Sequence, residues 1–238
     1  MTGVRRVING DPLQLLPAFA DAEPLGREWE APLYDRFKAA LRPEMTVLDV
    51  GASFGLFSIA AARVVRRPGR VFAFEPAAAS AAALAAHLRL NGVAERVEIV
   101  SVALAGASGR ATFWEQGTGF LSSLVEAAAR QDEHLLTEPV AARSVRTATL
   151  DDFCRDRGVA PDLVKVDVEG AEAAVLRGAR QVLRRRAAVL FLEVHHDLLE
   201  RTGDSVADVF GELEAAGWGW EQLGDRTPAG TAHYICAP

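Results

Sequence analysis

The sequence predicts an α/β fold built on a mostly parallel sheet, with helices on both faces and an antiparallel strand pair at the C-terminal edge. Three observations predict it. After Pro43, short β-branched runs alternate with Ala- and Leu-rich helical runs, the order that gives a parallel sheet covered on both sides. The run LVKVDV at 163–168 sets Leu163, Val164, Val166 and Val168 in a row, as in a strand buried on both faces. The tail breaks the alternation with two short strands joined by a turn. A chain of 238 residues with no internal repeat and no low-complexity linker is read as one domain.

The elements follow in order. Residues 1–25 are punctuated by Pro and Asp and show no clear period. From Gly26 to Leu41, Trp29, Leu33, Phe37 and Leu41 recur at spacings of four, one face of an amphipathic helix, although Pro32 falls within it. Strands are expected at 45–52, 70–76 and 96–106, with helices at 58–65 and 77–92, the second closed by Asn91-Gly92. A short strand at 111–114 precedes a less regular stretch, 117–142. Residues 144–148 lead into a helix at 150–157 with Thr149 as N-cap. A strand at 162–168, a helix at 171–183, a strand at 187–194 and a helix at 205–216 precede the closing strands near 218–223 and 231–236.

Composition excludes several classes. The chain is half hydrophobic, enough for a proper core, and its net charge of −6 disfavours a nucleic-acid partner. Arg184, Arg185 and Arg186 close a predicted helix, where they complement its dipole. Cys154 and Cys236 are too few for a disulfide framework or a zinc site. The N-terminus lacks the apolar run of a signal peptide, and no stretch approaches ~20 apolar residues. A cytoplasmic protein without a membrane partner is expected.

In a parallel sheet of this kind ligands sit beyond the carboxyl ends of the strands. The first strand ends in VLDVGASFGLF, where Gly51 and Gly55 flank a turn tight enough for a ligand to lie against the backbone. The second ends in FAFEP, which puts Glu75 twenty-four positions after Gly51 (75 − 51 = 24), with Pro76 beside it. An acid there suits the two hydroxyls of a ribose. The loop Asp49-Val50-Gly51-Ala52-Ser53-Phe54-Gly55 carries Ser where a dinucleotide fingerprint has its second glycine, and it lacks the Gly-Lys-Ser/Thr of a phosphate loop. Asp49 repels phosphate and attracts a cation. S-adenosylmethionine has no phosphate, carries an amino group and a sulfonium, and keeps the ribose. The loop chemistry therefore favours this methyl donor, with Asp49, Gly51, Ala52, Ser53, Phe54 and Gly55 along the methionine part, Glu75 on the ribose, and Ser101, Val102 and Ala103 near the adenine. The alternatives are a nicotinamide-dependent oxidoreductase and a non-catalytic nucleotide-binding module.

The chain also resembles the FkbM-type S-adenosylmethionine-dependent methyltransferases. The resemblance rests on VLDVGASFGLFS, FAFEP, VALAGASGRATF, SSL, TLDDF, LVKVDVEGAEAAVLRGA and LFLEVH, in that order, over about residues 44–196. The DVEGAE stretch is its most specific piece, and Ser53 departs from the commoner Asn. The resemblance implies a Rossmann-like, seven-stranded methyltransferase sheet over 44–238 and O-methylation of a small-molecule hydroxyl, on a sugar or a natural-product acceptor of polyketide type. Residues 1–43 are then a helical cap concerned with substrate.

The acids of LVKVDVEGAE need a reason, because carboxylates are costly to bury unpaired. Asp167 is expected to face the methyl group and the acceptor, with Glu193 and His195 from the next strand end helping to orient and deprotonate the hydroxyl. A Mg²⁺ held by these carboxylates could instead polarise it. The third reading is ordinary polar loop residues. Trp29, Ser122, Ser123, Glu169 and His196 are candidate substrate contacts, although serines before a polar helical run more often cap it. Trp114, Phe54 and Phe120 could floor the pocket or belong to the core. Glu172 falls in the first turn of a helix, where acids suit the dipole. His87, His134 and His233 are read as structural.

Overall fold

The computed structural model describes residues 2–20, 28–116, 122–130, 139–186, 188–227 and 230–238. The elements are β1 (Val4–Ile8), β2 (Asp11–Leu15), α1 (Pro17–Ala20), α2 (Ala31–Ala40), β3 (Thr46–Val50), α3 (Leu56–Val64), β4 (Arg70–Phe74), α4 (Ala78–Leu90), β5 (Val97–Val100), β6 (Ala103–Leu104), β7 (Gly109–Glu115) and α5 (Glu126–Ala129). They continue with β8 (Ala141–Ala148), α6 (Leu150–Arg157), β9 (Leu163–Val166), α7 (Glu172–Arg177), α8 (Arg180–Arg185), β10 (Val189–His195), α9 (His196–Thr202), α10 (Val206–Ala215), β11 (Gly219–Leu223) and β12 (Thr231–Ala237). The main sheet has seven strands in the order β11-β12-β10-β9-β3-β4-β5. From β10 to β5 every pairing is parallel, and β12 runs antiparallel to both its neighbours. The last two strands thus form the expected antiparallel pair, with β12 inserted between β10 and β11.

Alternation along the strands divides the core in two. Val47, Val71 and Leu163 face one layer with Leu33, Phe37, Ile59 and Leu84 from α2, α3 and α4. Leu48, Phe72 and Val164 face the other with Phe153, Val175, Val182 and Leu213 from α6, α7, α8 and α10. No helix among the described residues is long and apolar enough to cross a membrane.

Several expectations change. Within residues 1–25, β1 and β2 form a hairpin closed by Asn9 (φ 50°) and Gly10 (φ 78°), the two positive φ values of a type I′ turn. The helix expected from Gly26 starts at Ala31, because Pro32 fits only its first turn; residues 26 and 27 lie outside the described set. The strand expected over 96–106 stops at Val100, and Ala103–Leu104 joins a separate sheet of order β6-β8-β7. The helix expected over 171–183 divides at Gly178, where a Cβ would stand 2.3 Å from the Ala105 carbonyl oxygen. Residues 196–202, for which no element is expected, form α9.

Candidate active site

β3 and β9 are adjacent at the centre of the sheet, and the chain winds outward from them in opposite directions. Their carboxyl ends therefore bound the switch-point crevice. Two cavities open there, and Gly51 and Asp167 line both. The smaller, about 40 Å³, has Glu75, Pro76, Val102, Ala103 and Ser122 on its wall. The larger, about 220 Å³, has Ala52, Ser53, Phe54, Glu169, Glu193 and His195, with Trp29 and Glu30 on the cap side.

The loop between β3 and α3 is shaped by close approach. Gly51 has φ 78°, and a Cβ there would lie 1.7 Å from the Asp167 carbonyl oxygen, so no side chain fits. Gly51 and Ala52 donate their N–H groups to the Phe74 carbonyl at 3.1 and 3.0 Å. Gly55 lies behind the loop, where a Cβ would meet Leu84 Cδ1 at 2.4 Å. Glu75 accepts from Ser53 N at 2.9 Å and from Ala77 N at 2.8 Å. Burial pushes its carboxyl up to about 7 against those two bonds. Asp49, expected on the cofactor, lines neither cavity: it lies behind the loop, accepts from Ser58 Oγ at 2.6 Å and stands 4.0 Å from Lys165 Nζ. Ser101 is exposed and also lies off the walls.

At the ends of β9 and β10 the polar groups converge. Lys165 pairs in register with Phe191, so Asp167 and Glu193, two positions further along each chain, emerge on the same face. Buried Lys165 sits 2.9 Å from Asp167 Oδ2 and 4.8 Å from the Phe57 ring centroid. Burial alone would raise Asp167, but the charge and hydrogen bond of Lys165 together with the His195 and His233 charges outweigh it and hold the carboxyl below its usual range. His195 lies between two acids: its Nδ1 is 2.8 Å from Glu172 Oε1 and its Nε2 is 3.1 Å from Glu169 Oε2. Burial would depress the imidazole, yet Glu169, Glu172 and Glu193 together hold it well above its usual value. Burial also pushes Glu169 and Glu193 each up to about 8, with the Asp167 charge adding to both.

The supporting contacts show how each group is held. Glu172 begins α7 as expected, but it is fully buried and binds Gly170 N as well as His195. Ser123 is no helix cap: its Oγ donates to the Glu169 carbonyl at 2.9 Å, fixing the turn that places Glu169 at φ 53°. Ser122 accepts from Gln116 N on the smaller cavity's wall. Glu30, Ser53 and Glu169, all non-glycine residues with positive φ, line the larger cavity; strain of this kind gathers at functional sites. Asn9 in the hairpin turn bonds both backbone groups of Trp29, at 2.6 and 2.9 Å, and so seats Trp29 and Glu30 over the crevice.

His196 lines neither cavity; its backbone N–H donates to Gly230 O as α9 begins. His87 is structural, its ring nitrogens meeting Leu16 N and Phe54 O. Phe120, His134 and the segments 117–121 and 131–138 lie outside the described residues. His233 stands beside the site: it pairs across strands with Glu193, and Nε2 is 3.4 Å from Glu193 Oε1. The sequence reading also missed Lys165 and Glu30. A lone lysine two positions before Asp167 in a buried strand was a usable signal; nothing local marked Glu30 or His233.

Residues 49–221 match the Methyltransferase FkbM domain. This chain belongs to the FkbM methyltransferase family. The FkbM match covers every acid and histidine just described except Glu30 and His233. Over 195 residues the chain is 33% identical to the 31-O-demethyl-FK506 methyltransferase FkbM of Streptomyces tacrolimicus, covering 73% of this chain and 74% of that protein. Over 153 residues it is 31% identical to the 2-O-methyltransferase NoeI of Sinorhizobium fredii, covering 60% of this chain and 61% of NoeI. Methyltransferase FkbM from Methylobacillus flagellatus shares the fold, with a TM-score of 0.56 and 18% identity over 82% of this chain. The chain spans 44% of that structure's length. The chain is thus a methyltransferase enzyme, with relatives named as O-methyltransferases.

Proposed function

We propose that this chain transfers a methyl group from S-adenosylmethionine to a hydroxyl of a small molecule, a sugar or a natural-product acceptor of polyketide type. The observation that carries this is the pair of cavities meeting at Gly51 and Asp167. One has Glu75 on its wall, and the other carries a buried histidine, His195. The residues fit the donor: the crevice has an excess of carboxylates, which favours a sulfonium and an ammonium and disfavours phosphate. When bound, S-adenosylmethionine supplies an electrophilic methyl group on sulfur.

Glu75 accepts from the ribose hydroxyls, and the Gly51–Phe54 backbone lies along the methionine part. Asp167, kept ionised by Lys165, orients the acceptor hydroxyl at the junction. Its pairing makes it a poor proton acceptor, so in this proposal the base is His195. The acids around it hold the imidazole protonated, so His195 must first give up its Nε2 proton; Nε2 then takes the hydroxyl proton while Glu172 holds Nδ1–H and fixes the tautomer. Residues 1–43 act as the cap that closes the acceptor side, through Trp29 and Glu30. The relatives' names, an FK506 methyltransferase and a 2-O-methyltransferase, support a hydroxyl of this kind.

The test is methylation of a panel of hydroxylated sugars and macrolide fragments, read by mass spectrometry. His195→Gln should lower turnover ~10²- to 10⁴-fold with S-adenosylhomocysteine affinity retained. Methylation of RNA or protein alone, or near-normal turnover of His195→Gln, would overturn the proposal.

A further inference from the structure

Among the described residues, six buried side-chain atoms have no hydrogen-bond partner, and three of them belong to one cluster: Glu30 Oε2, Glu193 Oε2 and His233 Nε2. The three residues come from separate parts of the chain, the cap, β10 and β12, and each offers a ligand atom within 4.8 Å of the other two. Leaving buried oxygen and nitrogen atoms unsatisfied is costly, so their convergence calls for an occupant. Glu30 starts α2 at φ 46° without its side chain capping the helix. The strained backbone therefore serves to deliver the carboxylate elsewhere. Glu193 is 8% exposed, and its Oε2 has no hydrogen-bond partner.

We infer that Glu30, Glu193 and His233 form a binding site for a divalent transition-metal ion, of the Mn²⁺ or Zn²⁺ type, that joins the N-terminal cap to the sheet. A second trio, Asp167, Glu193 and His195, has similar spacing and shares Glu193, but Asp167 and His195 are already engaged. Asp167 is paired with Lys165 at 2.9 Å, and both His195 nitrogens face carboxylates. A metal there would have to displace these partners, whereas in the Glu30 trio it would replace only the 3.4 Å contact of His233 Nε2 with Glu193 Oε1 and the protons that burial favours on the two carboxyls. Two carboxylates and one imidazole select Mn²⁺, Fe²⁺ or Zn²⁺ over Mg²⁺, which prefers oxygen alone. Three ligands leave positions open on an ion beside the larger cavity, where an acceptor hydroxyl can reach it. Glu30 and His233 both lie outside the family match at 49–221, and Glu193 lies within it. The inference does not rest on the methyl-transfer proposal.

The experiment is titration of Mn²⁺, followed by loss of the free-ion EPR signal, into full-length protein stripped with chelator and desalted. One Mn²⁺ per chain is expected. Glu30→Gln, Glu193→Gln and His233→Ala should each weaken binding at least ~10-fold, since even partners behind a metal ligand are worth that much. The exposed-site control Glu221→Gln should bind like wild type, and Mg²⁺ should compete at least ~10-fold less well than Zn²⁺. If Glu193→Gln fails to fold, Glu30→Gln and His233→Ala decide. No Mn²⁺ bound by wild type, wild-type affinity in His233→Ala and Glu30→Gln, equal loss in the control, or Mg²⁺ competing as well as Zn²⁺ would each overturn the site. Calorimetry with S-adenosylhomocysteine on the same preparation separates the two ideas. Cofactor binding without Mn²⁺ sinks the metal site alone, and the reverse sinks the cofactor assignment alone.

Discussion

Lowering the pH from about 8 to about 6 should weaken the hold on S-adenosylhomocysteine about tenfold, and Glu75 should be the cause. The carboxyl is 5% exposed, and burial pushes it up to about 7 although Ser53 N and Ala77 N both donate to it. Only the ionised form accepts fully from two ribose hydroxyls. The sign follows: above 7 the free protein is ready to bind, and below 7 the ligand must first displace a proton. With a carboxyl at about 7 in the free protein and ionised in the complex, the ratio of dissociation constants is about (1 + 10)/(1 + 0.1), or tenfold, near 1.4 kcal/mol. Calorimetry at the two pH values measures it. The ligand's own groups also titrate, so the comparison that counts is with Glu75→Gln. That variant should bind ~10- to 150-fold more weakly at high pH, for the loss of ~1.5–3 kcal/mol of charge-assisted bonding. It should also lose the Glu75 share of the pH dependence. Identical profiles in the two proteins, or unchanged affinity in the variant, would refute the ribose assignment.

Three further outcomes follow from the geometry. Turnover should rise with pH as His195 loses its proton, and because Glu169 helps hold that proton on, Glu169→Gln should move the limb to lower pH; a pH–rate profile with the limb unmoved would separate Glu169 from the base. Gly51→Ala must place a Cβ against the Asp167 carbonyl at positive φ. It should cost at least ~2 kcal/mol in denaturant unfolding and abolish cofactor binding, and wild-type stability would contradict the close approach. Asn9→Ala removes both bonds that seat Trp29, each worth ~0.5–1.5 kcal/mol. Steady-state kinetics should show a raised KM for the acceptor with cofactor affinity unchanged, and a loss confined to the cofactor would place the hairpin elsewhere.

Much of this was local enough to be written in the sequence. Strand alternation at Val47-Leu48, Val71-Phe72 and Leu163-Val164 determined the two core layers, because period two sends neighbours to opposite faces. The Gly51–Gly55 loop and Glu75 were legible because a tight turn at a strand end constrains backbone and side-chain type over a few adjacent residues. The Asn9-Gly10 turn was equally legible, by its dipeptide, and went unread. The tertiary structure alone decided the rest. It moved Asp49 behind the loop, since a residue's register in a strand fixes its face and not its depth beneath a ligand. It gave Glu172 to His195, and it paired Lys165 with Asp167 at 2.9 Å. It brought Glu30 and His233, near opposite ends of the chain, onto Glu193. No spacing or periodicity encodes that meeting, because it depends on where β12 enters the sheet and on a hairpin turn holding Trp29 by its backbone.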